Sequence, residues 1–472
     1  MASEIIGRTN EWHRLDMCLE NDEAQLIAVY GRRRVGKTFL INNYFKGRFD
    51  FKITGVYKQP LKEELSVFIA ELNNQTGQDH PVPADWMEAF GLLRDYIESK
   101  PENEKVVVFF DEMPWLDTPR SKFLAAFEWF WNGWGSARKN LVFIVCGSAT
   151  SWMKKNLDEN KGGLYNRLTC RIYLMPFTLG ETEEYLISRG IRWSRYDITE
   201  CYMIMGGIPY YLSKIDSELT YGNNIDNLFF RKRAELWDEF TFLYRTLFEN
   251  SDQYVKVVEA LSTKRNGLSR GEIAEKTELP ENGVLTEMLN NLEYSGFIRI
   301  NDFYGKKQKT YQLSDYYTMF YLRFIKGNYG RDEHFWSNML DNPARKAWAG
   351  FTFEQVCKDH VDKIKSKIGI SGVLSSVSVW RRVGNEETSG AEIDMLIERR
   401  DRVVSICEIK FSTGEYEINK EYEMKLRNKI GAFGQAVKSG YGLQLVMITT
   451  FGVKKNIHSG IVSNQVTIDD LF

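Results

Sequence analysis

The chain has no C-x-x-C pair. Its six cysteines (Cys18, Cys146, Cys170, Cys201, Cys357, Cys407) are scattered, and its five histidines show no metal-ligand spacing. That excludes a zinc ribbon or a disulfide framework and points to reduced thiols inside a cell. No apolar run approaches the roughly 20 residues a membrane span needs. The opening Met1-Ala2-Ser3-Glu4 is polar and acidic, unlike a signal peptide. The expectation is therefore a cytoplasmic location with no membrane partner. An excess of one charge sign is also missing: 62 Lys and Arg against 64 Asp and Glu give a net charge of −2. Any contact with nucleic acid must then come from a local patch. There is no internal repeat and no low-complexity tract. At 472 residues the chain exceeds a single core and suggests about three domains.

Against that plain background one segment stands out. Gly31-Arg32-Arg33-Arg34-Val35-Gly36-Lys37-Thr38 matches G-x-x-x-x-G-K-[ST]. The strand-like run Leu26–Tyr30 precedes it, and Phe39–Phe45 follows with no helix breaker. The glycines let backbone N–H groups from Gly31 to Phe39 turn inward around a triphosphate. Lys37 reaches the β- and γ-phosphates, Thr38 offers its hydroxyl to Mg²⁺, and the helix N-terminus adds its positive dipole end. The pattern implies binding of a nucleoside triphosphate such as ATP with Mg²⁺. A second apolar run, Val106–Phe110, ends in Asp111-Glu112. A strand buried on both faces reads this way. Asp111 would hold the metal through water, while Glu112 polarises the attacking water. A third run, Leu141–Cys146, ends at Gly147-Ser148.

The opening Ile6-Gly7-Arg8 with Glu11 and Leu15, the phosphate loop, the Asp-Glu strand, the Gly-Ser tip and Gly206-Gly207-Ile208-Pro209-Tyr210-Tyr211-Leu212 together resemble the prokaryotic, archaeal-ATPase-like proteins of the AAA+/STAND type. These are cousins of the origin-recognition ATPases. The resemblance implies that Ser148 stands between the acid and the γ-phosphate; otherwise it caps the next helix. It places Arg167 where related ATPases complete a neighbouring subunit's site, which would make the protein a homo-oligomer, while Arg171 makes a local ion pair. Many AAA+ proteins carry a second sensing arginine in the lid. None occurs around Gly206–Leu212, which favours a slow switch over a fast motor.

The expected fold is α/β. A P-loop core with a five-stranded parallel sheet spans 1–178, with strands near 26–31, 51–56, 106–111, 141–147 and 171–174. The segment Leu164–Phe177 reads as a helix end, the fifth strand and a turn. A helical lid spans 179–248 and a winged helix-turn-helix 249–328. Within the latter, helices over Tyr254–Leu261, Arg270–Thr277 and Asn282–Glu293 precede a hairpin with the basic turn Gly305-Lys306-Lys307-Gln308-Lys309. A recognition helix should offer Arg, Lys, Asn or Gln to base edges. Asn282–Glu293 holds no basic residue and two glutamates, and 264–309 carries eight Lys and Arg against seven Asp and Glu. Phosphate binding needs a surplus, so packing against protein competes with DNA binding here.

The final third, 329–472, holds a second constellation. Ala391–Ile397 alternates as a strand, Glu398–Arg402 turns, and Val403–Lys410 returns. A hairpin brings Asp394 near Glu408, and the i, i+2 spacing puts Glu408 and Lys410 on one face. Two carboxylates can hold Mg²⁺, with Glu354 in the helix Ala347–Lys363 as a third ligand, and a lysine can stabilise the reacting phosphorus. Glu392 and Gln435 complete the polar site. The array resembles the PD-(D/E)XK nuclease superfamily, whose restriction-endonuclease-like α/β domain terminates many such ATPases. Two functions follow from the sequence. One is an ATP-controlled nuclease acting on DNA or RNA. The other is a signalling or scaffold ATPase whose nuclease-like domain only binds.

Overall fold

The computed structural model describes residues 5–159, 162–328, 330–384 and 390–472. Met1–Glu4, from which the lack of a leader was read, lie outside the described residues. The chain divides into two units, Met1–Pro176 and Phe177–Phe472.

In the first unit the apolar runs become β1 (Gln25–Tyr30), β2 (Phe51–Thr54), β3 (Val106–Asp111), β4 (Leu141–Gly147) and β5 (Cys170–Tyr173). They form one sheet of order β2-β3-β4-β1-β5 with every pair parallel. Every residue of β1, β3 and β4 is buried, as continuous hydrophobic strands in a two-sided α/β sheet must be. The expected strands are present within one or two residues at each end. The helix end expected before β5 is instead a turn.

The longer helices of this unit are α1 (Thr9–Glu20), α2 (Lys37–Tyr44), α3 (Leu61–Thr76), α4 (Trp86–Glu98) and α5 (Phe123–Gly133). α3 to α5 contribute to a core rich in aromatic rings. Phe90 and Phe110 stack at 5.8 Å, and Trp86 meets Phe123 edge-on at 4.9 Å. Such pairs add directional energy to simple burial.

The second unit begins with α6 (Leu179–Ser188), whose Thr178 and Glu181 form a capping box, and α7 (Arg195–Met205). The Gly206-Gly207 step has a backbone reason. Both sit at φ +65°, and a Cβ on Gly207 would meet the Phe177 carbonyl oxygen at 2.2 Å, so only glycine fits. After α8 (Glu239–Leu247) come three helices, α9 (Ser251–Ser262), α10 (Arg270–Thr277) and α11 (Gly283–Tyr294). An antiparallel ribbon follows, β6 (Ile298–Asp302) with β7 (Lys309–Leu313).

Next is α12 (Pro343–Asp359), tied to α7 by the buried Arg345–Glu200 ion pair at 2.9 Å. The closing sheet comprises β8 (Ser375–Arg382), β9 (Ala391–Arg399), β10 (Val403–Lys410), β11 (Gly442–Thr449) and β12 (Asn464–Thr467). Its order is β12-β11-β10-β9-β8, antiparallel from β8 to β10 and parallel from β10 to β12. α13 (Lys420–Gly434) crosses between β10 and β11, the right-sized connection for a parallel pair.

Candidate nucleotide site and the second carboxylate centre

The phosphate loop leaves the carboxyl end of β1, where open α/β sheets bind ligands. Gly31 takes φ +144°, and a Cβ there would strike the Leu174 carbonyl oxygen at 2.4 Å. The loop then curls around the buried Lys37 ammonium, which donates to Gly31 O at 3.1 Å and Arg32 O at 2.9 Å. Burial pushes the Lys37 ammonium below its ordinary pKa, while Cys146, Glu112 and Asp111 pull it back up. Arg34 adopts a left-handed φ of 72°. Arg32 is buried, Arg33 and Arg34 are half-buried, Val35 is buried, and Phe39 lies exposed one residue past the loop.

Thr38 donates its hydroxyl to Asp111 Oδ2 at 2.9 Å and lies 3.1 Å from Oδ1. Topology makes this pair, because β4 alone separates β1 from β3 and brings their carboxyl ends to one edge. A hydroxyl facing a buried carboxylate is the donor set a Mg²⁺ ion uses beside phosphate oxygens, so the residues present fit the metal.

Glu112 follows in the left-handed region, φ 46°. Such a conformation is costly for a non-glycine residue and collects at functional sites. Here it turns the carboxylate toward β4. Glu112 Oε2 accepts from the Ser148 hydroxyl at 2.9 Å and the Ser148 N–H at 3.0 Å. Ser148 thus lies against the acid. Arg171 pairs with Asp158, whereas Arg167 is exposed in the stretch between a turn and β5.

Arg8 emerges with a role its sequence signal did not reveal. It is buried, donates to Val35 O inside the phosphate loop at 3.1 Å, and donates to Met175 O at 2.7 Å. It belongs to the Ile6-Gly7-Arg8 opening, but a charged residue 27 positions before its partner carries no local pattern.

The second unit arranges its acids differently. The ladder ends at the pair Met395 and Cys407, and Asp394 and Glu408 are the next residues along the two strands. Lys410 Nζ lies 2.9 Å from Glu408 Oε1, on the shared face. The other partners were not foreseen: Lys429 Nζ meets Oε2 at 2.6 Å, and the Tyr422 hydroxyl donates to Oε1 at 2.6 Å. Burial pushes the Glu408 carboxyl up, but Lys429 and Lys410 outweigh it and hold the group at about 2. Tyr422 and Lys429 sit seven residues apart, on one face of α13. That spacing becomes informative only once the helix is known to lie over β10.

Glu354, expected as a third metal ligand, is instead buried and ion-paired with Arg265. Asn266 donates to Glu392, and Gln435 accepts from Arg382 at 3.1 Å. Among the described residues no three Asp, Glu, His or Cys side chains are grouped to hold a metal. Glu354, Asp394 and Glu408 therefore do not fit a divalent cation in this arrangement. The lysines and Arg265 already supply the positive charge.

A relative of Methanocaldococcus jannaschii, an uncharacterized protein, is 26% identical over 416 residues, covering 86% of this chain and 87% of its own. Among solved structures, the Walker-type ATPase of Pyrococcus abyssi is 20% identical and covers 68% of this chain and 96% of its own, with a TM-score of 0.46. The ORC2 protein of Aeropyrum pernix is 12% identical over 76% of this chain and 96% of its own, with a TM-score of 0.41. A STAND protein with a tetratricopeptide repeat sensor from Pyrococcus horikoshii is 14% identical over 78% and 52%, with a TM-score of 0.30. No helix among the described residues is long and apolar enough to cross a membrane. Residues 6–215 match the model of a family described as an ATPase domain predominantly from Archaea.

Proposed function

We propose that the protein is an ATP-hydrolysing switch in which the phosphate loop and the Asp111-Glu112 strand form the working site. The observation that carries this is the Thr38–Asp111 contact in a loop closed around Lys37. Lys37 and the loop N–H groups from Gly31 to Phe39 hold the phosphates, while Thr38 and Asp111 hold Mg²⁺, which neutralises phosphate charge when bound. Glu112 takes the proton of the attacking water. The Ser148 hydroxyl keeps the Glu112 carboxylate aimed. Arg167, exposed and close in sequence to β5, reaches a neighbouring copy's γ-phosphate in a homo-oligomer. If so, hydrolysis per subunit rises with protein concentration, and mixing Arg167→Ala with Glu112→Gln protein restores activity. A rate independent of dilution, with no rescue, would make Arg167 structural.

In the same reading, residues 249–328 are a winged helix-turn-helix whose wing docks on protein. Tyr304 N–H donates to Val379 O on β8 at 2.9 Å, and the Tyr304 ring meets Phe433 at 5.1 Å. Residues from about 329 form a PD-(D/E)XK nuclease-like domain that engages DNA or RNA, with Asp394, Glu408 and Lys410 as its reacting set. A second reading, a signalling or scaffold ATPase whose nuclease-like domain binds without cutting, is favoured by the ion-pairing of Glu354 and Glu408. Plasmid, single-stranded DNA and RNA incubated with Mg²⁺ or Mn²⁺, with and without ATP, separate the two. Cleavage lost in Asp394→Ala supports the nuclease. Absence of cutting in the wild type under every condition supports the scaffold.

A further inference from the structure

Two of the six cysteines come together, and the fold of the first unit brings them there. α1 starts at its cap Arg8, which donates to Met175 O just past the carboxyl end of β5. From Arg8 to Cys18 the helix advances about 15 Å. From Met175 back to Cys170, the first residue of β5, an extended chain covers about 16 Å. α1 therefore runs antiparallel to β5 and sets Cys18 against Cys170. Leu15 and Cys18 are the buried residues of α1, so Cys18 lies on its inward face. The two thiols interact directly, and Arg14, one turn before Cys18, meets Cys170. Both cysteines are free, 8% and 6% exposed, and β5 is an edge strand of its sheet. Their chemistry is uneven. The Cys18 thiol first, then Arg14 and Arg171, hold Cys170 below the ordinary thiol pKa although burial opposes them. Contact with Cys170, then burial, holds Cys18 well above it. The thiols of Cys146, Cys201, Cys357 and Cys407 are all pushed up by burial. The thiolate is the form that attacks a disulfide, so Cys170 is the nucleophile of the six and Cys18 its resolving neighbour.

We propose that Cys18 and Cys170 are a redox modification site, at which a low-molecular-weight disulfide converts the thiol pair into a disulfide that fixes α1 along β5. The Cys170 thiolate attacks one sulfur of the small disulfide, breaks its S–S bond and releases one thiolate, which takes up the proton Cys170 has lost. The Cys18 sulfur, giving up its proton, then attacks the Cys170 sulfur of the mixed disulfide and releases the second small thiol. The protein's two thiols lose two electrons, and the small disulfide gains them as two thiols. Arg8 already ties the start of α1 to Val35 O in the phosphate loop and to Met175 O. The disulfide ties its other end, so oxidation stiffens the helix that braces the loop.

The test treats the full chain with oxidised glutathione and follows its thermal melt. The protein is then unfolded in urea with iodoacetamide, and its peptides are mapped by mass spectrometry without reduction. In the wild type the peptides of Cys18 and Cys170 should be linked and the melting temperature raised by about 5 °C or more, both reversed by dithiothreitol. Cys18→Ser should keep one glutathione on Cys170, and Cys170→Ser should carry none on Cys18. The wild-type map alone decides the pairing should either variant fail to fold. Cys18 and Cys170 both alkylated in the oxidised wild type would overturn the site. Glutathione on Cys18 in Cys170→Ser, with none on Cys170 in Cys18→Ser, would overturn the assignment of the nucleophile. A link that leaves the melt unchanged would contradict the fixing of α1.

Discussion

Asp111 in the first unit and Glu408 in the second are both buried acids on strands that run beside a parallel neighbour. Their partners differ in kind. Asp111 is met by the Thr38 hydroxyl and Glu112 by the Ser148 hydroxyl and N–H. Glu408 is met by two ammonium groups and a phenol, and Glu354 by a guanidinium. Neutral donors satisfy a buried carboxylate without cancelling its charge, so it can still take a metal and a proton. Cationic partners cancel the charge and tie the side chain into the fold. The first centre keeps its carboxylate charge; the second is compensated from within.

The substitution with the largest expected effect probes the first centre. Lys37→Ala should weaken ATP binding about 10²-fold or more, since a buried charge partner of the triphosphate is lost; calorimetric titration reads this. Next comes the second centre. Lys429→Met should lower stability by about 1–3 kcal/mol, the range for a charged hydrogen bond removed from a buried acid. ATP hydrolysis should be untouched. The pH dependence follows from sign. Glu408 sits at about 2 when folded, below the roughly 4.3 of a free glutamate. Its contribution is full above pH 4.3 and is lost as pH falls toward 2. Thermal melts of wild type and Lys429→Met should therefore converge in acid. If they do not, Glu408 is not held by that pair.

Ser148→Ala sharpens the comparison within the first centre. It removes the hydroxyl and keeps the N–H, so hydrolysis should slow by about tenfold at most, with ATP affinity unchanged. A further effect concerns Glu64, whose two buried carboxyl oxygens have no hydrogen-bond partner among the described residues. Burial first, then Asp117, raises it to about 8. A raised folded value means the stabilisation is full below about pH 4.3 and is gone once pH passes 8. Glu64→Gln should melt higher than wild type at pH 8.5, and the gap should close toward pH 5. An unchanged gap would show that Glu64 does not titrate this way.

Much of the first unit could be read from the sequence because its signals are local. An apolar run, a glycine-lysine-threonine turn and a second run ending in acids each sit within ten residues, and β1, β3 and β4 bury as those runs imply. The β9–β10 hairpin was legible for the same reason, through alternation and a short turn. The partners of Glu408 and Glu354 were not. Lys429 lies 21 residues from Glu408 along the chain, and Arg265 comes from another segment altogether. A lone Arg or Lys in a solvent-patterned stretch gives no sign of which carboxylate it will meet. Register fixes neighbours across a hairpin, but helix docking decides which charges cover them. That is why the expected metal cluster resolved into ion pairs.

In the proposed mechanism Glu112 acts on water while Lys37, Thr38 and Asp111 hold the nucleotide. The most direct measurement is ATP affinity and single-turnover hydrolysis of Glu112→Gln beside wild type. Affinity should stay within a few-fold of wild type and hydrolysis should slow by about 10²–10⁴-fold, the scale of a lost general base. Hydrolysis at the wild-type rate with affinity intact would contradict it.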